Sequence, residues 1–287
     1  MSGVRDRVIV VTGAGGGLGR EYALFLAAAG AKVVVNDLGG ARDGSGAGTS
    51  MADGVVEEIR AAGGTAVPSY DSVATAEGAQ AIIGTALEAF GAVHGVVNNA
   101  GILRDAAFHK MADEHWDAVL RVHLDGGYHV TRSAWPHLRE QGFGRIVMAT
   151  STSGLFGNFG QSNYGAAKNG LVGLVNTLAI EGRRHGIGVN AVAPMAATRM
   201  TADVAPSEVL AKLPPEHVAP VVAQLLTDEC ADTGLVLVAG GGQVYRVQLF
   251  QGKGVSFAEP PSLDEIGSRW AEITAMDEAV PGTNPVG

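Results

Sequence analysis

Cysteine is nearly missing from this chain: Cys230 is the one thiol in 287 residues. A lone thiol forms no intrachain disulfide and offers no thiolate cluster for a structural metal. The eight histidines include no H-E-x-x-H pair, so no metal site is expected. Basic residues are also short. Lys and Arg number 20 against 29 Asp and Glu, a net charge of -9. That balance argues against nucleic acid and against an anionic membrane surface as partners. No apolar run approaches the roughly 18 residues that a membrane span requires. The chain reaches a short apolar strand near Val8 without a signal-type apolar core before it. The expectation is a cytoplasmic, globular protein that acts on a small molecule.

What the chain has in quantity is apolar residues and glycine. Hydrophobic residues make up 46%, enough for a sizeable core, which excludes global disorder. Glycine, at 42 residues, is about twice its usual share. It follows no Gly-X-Y period, so the glycines are expected at tight turns and close backbone approaches.

Short β-branched runs alternate with helical stretches. Strands are expected near residues 8–11, 32–36, 65–68, 93–98, 145–150, 189–193 and 235–238. Helices are expected over 18–29, 51–62, 76–90, 113–139, 162–184 and 218–226, with Pro136 bending the fourth. Such alternation predicts an α/β fold, a doubly wound parallel sheet of about seven strands with helices on both faces. Residues 39–48 (G-G-A-R-D-G-S-G-A-G) read as a flexible insertion after the second strand. From Gln243 the sheet pattern is expected to end, giving a domain over 1–245 and an extension over 246–287. Within the extension, Ser262 and Glu265 have capping-box spacing. Ile266, Trp270 and Ile273 then share a helical face.

The first strand runs directly into T-G-A-G-G-G-L-G at residues 12–19. Gly13, Gly17 and Gly19 fit a turn that approaches a pyrophosphate, and the next helix presents its free N–H groups to that anion. This is the strand–turn–helix context of a Rossmann-type nucleotide site. Asp37 ends the second strand. Its carboxylate can accept from ribose hydroxyls and would repel the extra phosphate of NADP, so NAD is the expected cofactor. Arg42, inside the insertion, could offset that charge. Asp71, after the third strand, could meet an adenine amine. Asn98, Asn99, Ala100 and Gly101 close the fourth strand at the same edge.

Tyr164 and Lys168 lie four apart, on one face of a predicted helix. Ser151 lies 13 residues before Tyr164, at a strand end. A tyrosine with an unperturbed pKa near 10 is a poor base at neutral pH. A neighbouring ammonium is expected to favour the phenolate, and a serine can hold the substrate oxygen beside the phenol.

These residues resemble the short-chain dehydrogenase/reductase family over about residues 4–245. The resemblance rests on residues 12–19, on Asn98 to Gly101, and on Ser151, Tyr164 and Lys168. It implies Tyr164 as general acid/base, Ser151 as the group positioning the reacting oxygen, and Lys168 as the holder of the nicotinamide ribose. It further implies cofactor contacts at Leu18, Ser72, Pro194 and Thr198. Ser153 competes with Ser151 for the oxygen-positioning role, and spacing favours Ser151. His123 stands where the family usually has Asn, and Met195 follows Pro194 where the family usually has Gly. Within the family, the segments N-D-L-G-G, Y-D-S-V, N-N-A-G-I-L-R-D, G-N-F-G-Q and A-I-E-G-R are similar to the dehydrogenase unit of peroxisomal multifunctional enzymes of type 2. That likeness implies NAD-dependent oxidation of a (3R)-hydroxyacyl-CoA. A steroid alcohol, a steroid side-chain acyl-CoA and an acyl-carrier-protein-linked 3-ketoacyl group stand as alternative substrates, and a non-catalytic dinucleotide-binding sensor, which would keep the glycine turn and lose the Tyr–Lys pair, as the remote alternative. Arg104, Lys110 and Arg199 could meet CoA phosphates or be plain surface charge. The resemblance also implies a homodimer or homotetramer paired through the helices over 113–139 and 162–184.

Overall fold

The structure, a computed structural model, describes residues 3–197, 208 and 211–284. The chain forms two compact units, 1–245 and 246–287.

The first unit is built on strands β1 (Val8–Thr12), β2 (Lys32–Asn36), β3 (Thr65–Ser69), β4 (Gly95–Asn98), β5 (Gly144–Ala149), β6 (Ile187–Pro194) and β7 (Val236–Gly240). Their order is 3-2-1-4-5-6-7, and the pairs from β3 across to β7 are parallel. Val and Ile dominate β1, β2 and β4, whose interiors are buried on both faces, as a sheet covered by helices requires. One face carries α1 (Gly17–Ala28) and α2 (Ser50–Ala61). Tyr22, Leu26, Val55 and Ile59 of these helices join the core against Ile9, Val11, Val33 and Val35. On the other face, α3 (Ala76–Phe90) buries Ile82 and Ile83.

The strand order reverses between β1 and β4. That switch point opens a crevice at the C-terminal edge of the sheet, where open α/β sheets bind ligands.

Two expectations need correction. The sheet does not stop at Gln243. An eighth strand, β8 (Gln243–Val247), follows β7 in the sheet order. Gly241 and Gly242 take φ values of +57° and +77° just before it, a backbone that glycine adopts without steric cost. Because most of β8 is exposed, its short polar–apolar alternation reads like a loop.

The helix expected over 113–139 is interrupted well before Pro136. It comprises α4 (Asp113–Leu120), a π-helical turn (Arg121–Asp125) and α5 (Gly126–Gln141), and Pro136 lies inside α5. A side-chain bond accompanies the widened turn. His123 Nε2 lies 3.1 Å from Ile102 N and 2.8 Å from Ile102 O. Gly126 and Gly127 follow at once. A Cβ on them would lie 2.9 Å from Val73 and 2.8 Å from Leu171, so the helix packs tightly there. Helix α6 (Thr152–Phe156) is one short piece, and α7 (Ser162–Arg183) is the longest helix. Helix α8 (Ala219–Leu225) precedes β7.

In the second unit, Ser262 and Glu265 form both bonds of a capping box at the start of α9 (Leu263–Ser268). Helix α10 (Trp270–Thr274) follows. A two-stranded antiparallel ribbon pairs β9 (Phe250–Gln251) with β10 (Val280–Pro281).

Candidate active site

The crevice is a cleft of about 330 Å³. Gly13, Gly17 and Leu18 line one wall, and Asp37, Asp71 and Ser72 line the next. Asn99, Ala100 and Gly101 complete it at the β4 end.

The glycine turn is held rigidly. Thr12 Oγ1 accepts from the backbone N–H of Asn99 and Ala100 at 3.0 and 3.1 Å. Asn99 Nδ2 donates back to Thr12 O and Gly13 O at 3.0 and 3.1 Å. Gly13 has φ +63°, and a Cβ on it would lie 2.7 Å from Ala100 Cα. A Cβ on Gly19 would collide with Gly13 O. Gly19 therefore shapes the turn from behind and does not line the cleft.

The N-terminus of α1 has Gly16 as its cap, with no side-chain hydrogen bond to its free N–H groups and no acidic residue in its first turn. These donors open toward a cleft lined by Gly16, Gly17 and Leu18. A helix end left this way suits an anion.

Asp37 is anchored by backbone. Its Oδ2 accepts from Gly15 N at 2.8 Å and its Oδ1 from Gly39 N at 2.7 Å. The carboxylate is thus fixed at the cleft wall, where a 2′-phosphate would be repelled.

Around the β5 end, Ser151 caps α6, its Oγ accepting from Ser153 N at 3.1 Å. The geometry thus binds Ser153 by its backbone and leaves the Ser151 hydroxyl proton free to donate. Tyr164 and Lys168 sit one turn apart on α7. Burial pushes the Tyr164 phenol up, a hydrogen bond with Ser151 opposes this, and the Asp105 carboxylate adds to the rise. Lys168 is buried and donates from Nζ to Ala149 O. Burial pushes its ammonium down to about 7.

The Lys168 Nζ lies 5.6 Å from the Tyr164 ring centroid while one of its N–H groups donates to Ala149 O. The net shift of the phenol is upward.

The chain belongs to the short-chain dehydrogenase family. The family's sequence pattern matches residues 7–208. A short-chain type dehydrogenase/reductase of Mycobacterium tuberculosis, Rv0148, is 70% identical over 279 residues, covering 97% of this chain and 98% of the relative. Peroxisomal multifunctional enzyme type 2 of Mus musculus is 48% identical over 276 residues, covering 95% of this chain but 37% of the relative. The chain thus spans little more than a third of that larger enzyme. Hydroxyacyl-CoA dehydrogenase ChsB1 of Mycobacterium tuberculosis is 38% identical over 293 residues, covering 94% and 86%. A solved short chain dehydrogenase from Mycobacterium avium superposes with a TM-score of 0.84 at 40% identity, covering 98% of each chain.

The dehydrogenase is thus an oxidoreductase of nicotinamide dinucleotide chemistry. Its cleft fits that group: an uncapped helix N-terminus faces it, and its glycine turn has no room for a Cβ at Gly13. Of the other residues expected to touch cofactor, Pro194 ends β6 and does not line the cleft, and Thr198 lies outside the described residues. Arg199 also lies outside them.

Sequence reasoning missed Arg121, which lines the cleft together with the expected Arg42 and Arg104, whereas Lys110 does not. In addition, His123 packs edge-on against Tyr164, with ring centroids 5.1 Å apart at 87°. Burial holds its imidazole well below its usual value, and the Lys168 charge adds to this. His123 and Lys168 line a small cell of about 10 Å³ that shares Val73, Ala100 and Val122 with the cleft. The Asn-to-His change was visible in sequence. The contact of His123 Nε2 with the Ile102 backbone at the π-helical turn was not, since no spacing in the sequence indicates it.

Proposed function

We propose that this dehydrogenase uses NAD and interconverts a (3R)-hydroxyacyl-CoA with its 3-ketoacyl-CoA. The observation that carries the reading is the cluster of Ser151, Tyr164 and Lys168; Lys168 lines the small cell that shares residues with the cleft, whose wall holds the fixed carboxylate of Asp37. Asp37 supports NAD over NADP by charge. The substrate class is supported by kinship with ChsB1, which is named a hydroxyacyl-CoA dehydrogenase, and with the type 2 multifunctional enzymes.

In this reading the bound dinucleotide supplies the hydride acceptor. The chain supplies orientation and proton management. Ser151 donates a hydrogen bond to the substrate oxygen and fixes its position. Tyr164 carries the proton to and from that oxygen. Since burial raises the phenol above its ordinary value, the resting group is a proton donor at neutral pH. Oxidation then speeds up as pH rises toward ionisation of Tyr164. Lys168, on the same helix face one turn away, holds the nicotinamide ribose. Leu18 and Ser72, which line the cleft, and by the family resemblance Thr198 complete the proposed cofactor contacts. The proposed assembly is a homodimer or homotetramer paired through α4–α5 and α7. Tyr128 and Ile180, on these helices, are 48% and 71% exposed in the single chain, and light scattering that reports a monomer would refute the pairing.

The testing experiment is steady-state reduction of NAD and, separately, NADP by purified protein. The substrates are a (3R)-hydroxyacyl-CoA, its (3S) epimer and estradiol. Turnover of the (3R) thioester with NAD alone is expected. Turnover of estradiol without the thioester would overturn the substrate, and preference for NADP would overturn the role given to Asp37.

A further inference from the structure

Residues 39–48 were expected to be slack. The structure shows a loop with its own internal bonding. Gly48 N donates to Leu38 O at 2.9 Å and closes the neck. At the tip, Ala41 N donates to Ser45 O at 2.7 Å and Gly44 N to Ala41 O at 3.0 Å. Ser45 bonds Asp43 Oδ1 through its backbone N–H and its hydroxyl, at 3.0 and 2.7 Å. Gly39 and Gly44 take φ values of +75° and +85°, which explains why the loop is written in glycine.

The loop also reaches across the cleft. Gly40, Ala41, Arg42 and Gly44 line it opposite the phosphate turn. On the far side the loop is fastened to the segment after β4. Leu103 N donates to Arg42 O at 3.1 Å, and Arg104 Nε donates to Asp43 O at 2.8 Å. Gly44 rests on Ile102, where an added Cβ would lie 3.1 Å from Cγ2.

That far segment is in turn tied to the start of α7. Asn163 Nδ2 donates to Arg104 O at 3.0 Å, Ala106 N to Gly160 O at 2.9 Å, and Gln161 Nε2 to Asp105 Oδ2 at 2.8 Å. One run of hydrogen bonds therefore joins the cover of the adenosine end of the cleft to the helix that carries Tyr164.

We infer that residues 39–48 form a strap that closes over the bound dinucleotide, with Arg104 as its clasp and a positioning residue for the cofactor. This rests on the dinucleotide reading of the cleft. It reassigns Arg104. A guanidinium whose Nε is held by Asp43 O serves the cofactor side, not the phosphates of an acyl-CoA. A charge-assisted bond to a carbonyl is stronger than a neutral one, and its loss frees the strap tip from the far wall. Release of dinucleotide then no longer waits on opening of the clasp.

The test is titration of the protein's fluorescence with NADH, and separately NADPH, without substrate, on wild type and Arg104→Ala. It is joined by hydrogen exchange at the Leu103 amide. The dissociation constant for the preferred dinucleotide is expected to rise about three- to tenfold in Arg104→Ala, within the net range of a single hydrogen bond. In the wild type, dinucleotide should slow exchange at Leu103, and the variant should lose much of that protection. A strap shortened by replacing residues 40–45 with two glycines gives an independent second reading of both quantities. Unchanged affinity in both variants, with Leu103 exchange indifferent to dinucleotide, overturns the strap and leaves the cofactor reading intact. A wild type that binds neither dinucleotide overturns both.

Discussion

Arg145 and Lys168 are both buried cations in the first unit, and the fold treats them differently. Arg145 stands near the N-terminal edge of the sheet, on β5. Its guanidinium donates to Thr227 O, Gly144 O, Gly186 O and Asp228 O at 2.9–3.3 Å. It also lies 4.4 Å from the Phe143 ring centroid, and Arg7 lies 4.3 Å from the same ring while it chelates Asp228. Lys168 lies by the C-terminal edge, and its ammonium has one hydrogen bond among the described residues, to Ala149 O. Beside it, His123 Nδ1 is buried without a protein partner among the described residues. One edge spends its polar groups on itself. The other holds donors and acceptors in reserve, at the cost of burying them poorly satisfied. That asymmetry supports the C-terminal edge as the seat of the proposed chemistry.

The sharpest way to break the comparison is to remove a group from each edge and ask what is lost. Tyr164→Phe should lower turnover by about 10²–10⁴-fold, the range of a general acid/base. Its unfolding free energy and dinucleotide affinity should stay close to wild type. A variant that keeps its rate would remove Tyr164 from the proton path.

The opposite outcome is expected at the other edge. Arg145→Met strips donors from four carbonyls and should cost about 2–4 kcal/mol in chemical unfolding. Turnover per folded molecule should be unchanged. If Arg145→Met lowers turnover as steeply as it lowers stability, the division of labour between the edges is wrong.

Lys168 tests the idea that poor satisfaction is itself destabilising. With burial pushing its ammonium from 10.5 down to about 7, the folded state resists that proton more than the unfolded chain does. The penalty is therefore full below about 7 and fades as pH rises toward 10.5. Lys168→Met in the dinucleotide-free protein should unfold about 1–3 kcal/mol later near neutral pH, where a charged buried amine gives way to an apolar isostere. The gain should shrink in alkaline buffer, as measured by urea unfolding across the pH range. A loss of stability would mean that the single bond to Ala149 O outweighs desolvation.

How much of this was legible in sequence differs between the same two edges. The C-terminal edge announced itself, because Gly13, Asp37, Asn99, Ser151, Tyr164 and Lys168 are spaced as the chemistry needs. The alternation of β-branched runs and helices likewise indicated the doubly wound sheet. What stayed hidden depended on backbone from distant segments. The contact of His123 at the π-helical turn is made by Ile102, the strap by Leu103 and Arg104, and the eighth strand by an edge position that leaves its alternating side chains exposed. The N-terminal edge was silent. Arg7, Phe143, Arg145 and Asp228 share no spacing, and only folding brings them together.

Histidine gives the smallest and finest test, because one sequestered imidazole lies at each edge. His94 precedes β4 at the N-terminal edge, and its Nδ1 accepts from Val8 N–H at 3.0 Å. Burial and the Arg7 charge hold it below its ordinary value of 6.5. His123, at the C-terminal edge, is lowered for the same leading reason. As pH falls, the unfolded chain takes up these protons before the folded chain does. Their stabilisation is therefore complete above about 6.5 and is lost as pH drops from there through the folded values. An asparagine at 94 keeps an oxygen acceptor for Val8 N–H and cannot titrate. His94→Asn should match wild type near pH 7.5 and lose melting temperature more slowly toward about pH 5.5. If the two proteins lose it in parallel, the acid sensitivity does not belong to the N-terminal edge. It then falls to His123 and the poorly satisfied groups around the cleft, and the contrast between the edges sharpens.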